Sequence, residues 1–149
     1  MSTLTERHAG SDLVARLERV RMASFGALTM LILQFVLGIA YNLYGTAPTS
    51  KKSVGWFSSP LLAIHVVVGI LLIIAAAVLV FRAVQARSGS GAVLASSIVA
   101  LIAIIAAAGA GSAFANNGAN GASLGMAIGT AIAMLCYAAI LVILGKRQG

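Results

Sequence analysis

The sequence predicts an all-α polytopic membrane protein, four transmembrane helices in an antiparallel bundle. Three observations carry this: four long apolar stretches without a charged side chain, basic residues concentrated on alternate flanks of those stretches, and carboxylates confined to the N-terminal segment. Hydrophobic residues make up 60% of the 149 positions and charged residues 9%. A water-soluble domain of this size cannot cover so much apolar surface. The formal net charge of +7 is not a nucleic-acid signature, because the basic residues are strung between apolar stretches and are not gathered on one face. The expected partner is the lipid bilayer.

Residues 1–22 form a cytoplasmic N-terminal segment. Within it Leu13, Leu17 and Val20 recur at helical spacing with Arg16 and Arg19 between them. Two arrangements satisfy that pattern: an amphipathic helix lying on the inner leaflet, or a helical extension of the first span. The transmembrane domain, 23–145, contains spans at about 23–44, 60–81, 92–114 and 121–144. Each reaches the roughly 20 residues that a ~30 Å hydrocarbon core requires. Backbone groups in lipid must be satisfied within the segment, so these are helices, and no alternating pattern points to a β-barrel. The first stretch lacks a small-residue cleavage site and is kept as a signal anchor.

Arg7, Arg16, Arg19, Arg21, Arg82, Arg87, Lys146 and Arg147 all flank one side, against Lys51 and Lys52 on the other. Basic flanks stay inside. Both termini, including the tail at 146–149, are therefore expected on the cytoplasmic side of a plasma membrane, and the heavy use of Ala and Gly with Arg preferred to Lys points to a bacterial one. The loop 45–59 is then external. Pro60 suits the first turn of the second helix, and Trp56 and Phe57 suit the interfacial aromatic belt. The second external link, 115–120, is rich in Asn and Gly, as a tight turn needs.

A tandem two-helix repeat is expected from the ends of the first and third spans. Gly38, Ala40, Tyr41 and Gly45 match Gly111, Ala113, Phe114 and Gly118 at the same offsets. Small residues also mark helix packing: Gly121, Gly125 and Gly129 recur four apart on the fourth span, with Gly109 on the third and Gly69 on the second.

No Asp or Glu occurs after Glu18. Paired-carboxylate hydrolysis, a Ser-His-Asp triad and transport through a membrane-embedded acid all lack their essential group. Cys136, the sole cysteine, allows no intrachain disulfide. Among His, Asp, Glu, Lys and Arg, only His65 falls inside a span, five residues after Pro60, and an ionisable residue there is the first candidate site. Its ring can hydrogen-bond a neighbour such as Tyr41, Ser112 or Ser123, or, as neutral imidazole, ligate a haem iron. Gln34, near the middle of the first span, calls for a hydrogen-bond partner across helices.

The two-helix repeat with His65 and Gly69 near the outer end of the second helix resembles small bacterial four-helix proteins of the haem A synthase and cytochrome b561-like type. That resemblance implies a bound haem b with a second histidine on an equivalent helix. The fourth span has none, and Met126 is the nearest comparable ligand by depth. The reading that follows is a non-catalytic accessory or interaction protein, partnered by itself or by another membrane protein. The alternative is a haem b-binding membrane electron carrier using His65.

Overall fold

The computed structural model describes residues 2–86 and 91–146, with side chains from Asp12 onward except that of Asn120. Arg7, Arg87 and Arg147, which enter the expected orientation, have side chains outside the described residues. Four helices follow one another: α1 (Ser2–Tyr44), α2 (Pro60–Gln85), α3 (Gly91–Asn117) and α4 (Asn120–Gly145). All four are long and apolar enough to cross a membrane. The chain is a multi-pass, all-α membrane protein, and among the described residues no regular strand occurs.

The helices form a closed ring in chain order. α1 packs on α2 and α4, and α3 packs on α2 and α4, whereas the diagonal pairs make no close approach among the described residues. In lipid the apolar surface gains nothing from leaving its solvent, so close backbone approach and interhelical hydrogen bonds hold such a ring. The core accordingly mixes small and branched side chains: Ala76, Ala100 and Ala133 are fully buried alongside Leu79, Ile140 and Tyr137. Large apolar side chains such as Leu135, Leu124 and Ile102 point outward.

α1 runs without a break for 43 residues, or about 64 Å at 1.5 Å per residue. Leu17 packs against the core and Val20 is fully buried, so the stripe begun at Leu13 turns toward the neighbouring helices as a continuation of the span. α2 continues past Phe81 to Gln85 and carries Arg82 in its last turn. There a long basic side chain reaches the headgroup level while its helix continues. Ser59 caps the start of α2, its hydroxyl accepting from the Leu62 N–H at 3.3 Å, with Pro60 in the first turn.

The 45–59 loop folds onto the end of α3. Thr49 and Lys52 exchange backbone hydrogen bonds at 3.0 and 3.1 Å, and the Val54 N–H donates to the Ala115 carbonyl at 2.9 Å. Trp56 and Phe57 are exposed. The second link is tighter than 115–120, since α3 reaches Asn117 and only Gly118 and Ala119 separate it from α4. The Asn117 side chain accepts from the Ala119 N–H at 3.1 Å. Gly118 adopts a φ of 68°, a conformation in which a Cβ is strained, and that Cβ would lie 2.5 Å from the Pro48 carbonyl oxygen.

The first and third helices match at a set of buried positions. Shifted by 73 positions, Val20, Ser24, Ala27 and Leu31 of α1 fall on Val93, Ser97, Ala100 and Ile104 of α3, and all eight are buried. Ser24 and Ser97 donate to the Val20 and Val93 carbonyls at 2.9 and 2.8 Å. Gly45 and Gly118 close the two helices by donating to Tyr41 and Phe114 at 2.7 and 2.8 Å. The expected repeat thus extends from the helix ends to buried and hydrogen-bonded positions between Val20 and Gly45 of the first hairpin and between Val93 and Gly118 of the second.

Candidate functional site

The polar centre of the bundle lies between α1 and α2. The Gln34 side-chain N–H2 group donates to the His65 carbonyl oxygen at 3.0 Å and lies 3.2 Å from the His65 ring Nε2. An amide nitrogen cannot accept, so the ring Nε2 is the acceptor and the imidazole proton sits on Nδ1. One primary amide thereby satisfies both a backbone carbonyl and a ring nitrogen of the neighbouring helix.

Two glycines make this approach possible. A Cβ on Gly38 would lie 3.3 Å from His65 Cε1, and a Cβ on Gly69 would lie 3.0 Å from Gln34 Nε2. Each helix therefore offers a glycine to the polar side chain of the other. Below it, Leu72 and Ala76 carry the His65 face of α2 into the core. The ring's partner is Gln34, not Tyr41, Ser112 or Ser123: the Tyr41 hydroxyl donates instead to the Thr46 carbonyl at 3.0 Å. Gln34 Oε1 and His65 Nδ1 are buried without a hydrogen-bond partner among the described residues, and so is the Tyr137 hydroxyl.

Met126 occupies the corresponding place in the other hairpin. The buried residues Leu72, Ala76, Leu79 and Ala83 of α2 fall on Ala133, Tyr137, Ile140 and Leu144 of α4 at a shift of 61. The same shift carries His65 onto Met126. A Cβ on Gly111, the counterpart of Gly38, would lie 3.0 Å from the Met126 sulfur. His65 thus packs on α1 and Met126 on α3, each over the equivalent glycine.

The remaining packing residues divide. Gly129 meets α3 most closely, where a Cβ would lie 2.8 Å from the Ala103 carbonyl oxygen and 3.0 Å from the Ala107 Cβ; at Gly125 it would lie 3.4 Å from the Ala110 Cβ. At Gly109 and Gly121 a Cβ would meet nothing within 4 Å. On α3 the glycine in contact is Gly111, two residues beyond Gly109 and so about 200° around the helix. Gly38 and Gly111 were already paired by the repeat, which is the signal that marks them.

A haem on His65 would need a free ring nitrogen and flat space beside the ring. Nε2 faces the Gln34 amide and Cε1 faces the Gly38 backbone, so the ring as placed is packed for helix contact. Among the described residues no cluster of three or more His, Cys, Asp or Glu side chains could hold a metal ion. Comparison with protein-family models, curated proteins and solved structures finds no match.

Proposed function

We propose that the protein is a non-catalytic accessory or interaction protein of a bacterial plasma membrane, with both termini in the cytoplasm. The observation that carries this reading is the use of His65, whose ring and backbone carbonyl are engaged by Gln34 across α1 and α2. The absence of any carboxylate after Glu18 agrees with it, as does the breadth of outward apolar surface. Leu135 is 71% exposed and Ile102 61%, on helices that lipid or a neighbouring membrane protein can cover. Photo-crosslinking groups at Leu135 and Ile102 in native membranes test the proposal. Adducts with a second copy or with another membrane protein are expected; adducts with lipid alone contradict it.

A haem b-binding electron carrier is the second reading. One observation favours it: Met126 sits at the register of His65 in the repeated hairpin, over Gly111 as His65 lies over Gly38. Gln34 at Nε2 and Gly38 at Cε1 weigh toward the first. Protein purified in mild detergent from cells grown with ample haem separates the two. A Soret band abolished by His65→Ala supports the carrier, and a colourless protein rules it out.

A further inference from the structure

We propose that the basic end of the α1/α2 pair holds the phosphodiester headgroup of an anionic glycerophospholipid, a site independent of the role of His65. An open cleft of about 530 Å³ lies between the two helices, lined by Ala15, Glu18, Arg19, Met22, Ala23 and Arg82. Beside it lies a second cleft of about 360 Å³, bounded by Arg16, Arg19, Arg82 and Gln85. Arg19 and Arg82 form the wall common to both.

Three arginines thus converge from two helices, and among the described residues Glu18 is the one acid lining the clefts. Arg16 donates to the Gln85 carbonyl at 3.2 Å and Arg19 to the Ala15 carbonyl at 3.2 Å. Both contacts fix the side chains without compensating their charge. Glu18, the single acid at the rim, is 3.6 Å from Arg21. The Arg82 side chain has no hydrogen-bond or ion-pair partner among the described residues. Guanidinium groups bind phosphate oxygens through paired N–H donors, and basic pockets between transmembrane helices take anionic headgroups.

The cleft has two chemistries, and this selects a lipid over a soluble anion. On α1 its residues recur on one face, from Ala15 through Arg19 to Met22 and Ala23. The apolar end lies about 5 Å deeper into the span than Arg19. Phe25, three residues beyond Met22 on α1, and Val78, about one turn before Arg82 on α2, are exposed apolar side chains deeper in the spans. A headgroup at the arginines would leave its acyl chains along these side chains. Free phosphate would use the arginines alone.

The test is thermal unfolding of the full chain in neutral detergent, followed by circular dichroism, with three titrants: dioleoylphosphatidylglycerol, dioleoylphosphatidylcholine and inorganic phosphate. A saturable rise in Tm with phosphatidylglycerol alone is expected. Arg82→Gln, which removes a guanidinium without a partner among the described residues, should weaken that response roughly fivefold. Arg19→Gln/Arg82→Gln should abolish it, and Lys51→Gln/Lys52→Gln, at the other end of the bundle, should keep it. An equal rise with phosphatidylcholine, a full rise with inorganic phosphate, or an unchanged titration midpoint in Arg82→Gln would overturn the assignment.

Discussion

Gln34 joins α1 to His65 of α2 through a single amide group, 3.0 Å from the backbone carbonyl and 3.2 Å from the ring nitrogen of the same residue. Replacing Gln34 by Leu keeps the volume and removes both contacts. Interhelical hydrogen bonds in membranes contribute about 0.6–2 kcal/mol, so Gln34→Leu should destabilise the bundle by about that amount. Reversible unfolding in mixed detergent micelles measures it, and an unchanged midpoint would argue against the contact.

The glycines of the bundle should separate into a graded series. At Gly129 an added methyl meets backbone, at Gly38 it meets an imidazole that can give way, and at Gly109 and Gly121 it meets nothing. Gly129→Ala should therefore cost about 1–3 kcal/mol as overpacking, and Gly38→Ala less. Gly109→Ala and Gly121→Ala should be neutral or slightly stabilising, because alanine is the better helix former by about 1 kcal/mol. A destabilised Gly121→Ala beside a neutral Gly129→Ala would reverse this order.

Ser24 and Ser97 are both fully buried and donate to the carbonyl four residues back. Their equivalent surroundings predict equivalent tolerance. Ser24→Val and Ser97→Val should each cost about 1–3 kcal/mol through overpacking, whereas exposed Thr29→Val should be close to neutral. Thermal unfolding of the three variants checks this, and a large difference between the two serines would break the proposed equivalence of the hairpins.

Gly118 carries a positive φ, and a Cβ there would crowd the Pro48 carbonyl oxygen at 2.5 Å. Gly118→Ala should cost at least the ~1–2 kcal/mol of a left-handed alanine. Loosening of the 45–59 loop should accompany it, read as faster proteolysis near Lys51 and Lys52.

Four crossings were legible because charge-free apolar length is a one-dimensional property, visible in composition alone. Helix ends were less so: α2 continues through Arg82 and α3 through Asn117, since a polar side chain can leave the lipid while its backbone stays helical. The repeat was visible at Gly38 and Gly111, yet its extent through Ser24 and Ser97 emerged only when burial was added. The His65 partner could not be read, because it depends on how two helices rotate about their axes, and no spacing within either one fixes that. The same rotation decides that Gly111 meets α4 while Gly109 faces outward.

The most direct test of His65 as a helix-joining residue is the ¹⁵N spectrum of its imidazole in the detergent-solubilised protein, with His8→Ala removing the other histidine. The contact with Gln34 predicts a neutral ring protonated at Nδ1 and unprotonated at Nε2, with a shift that changes in Gln34→Leu. A ring protonated at Nε2 and indifferent to Gln34→Leu would contradict it.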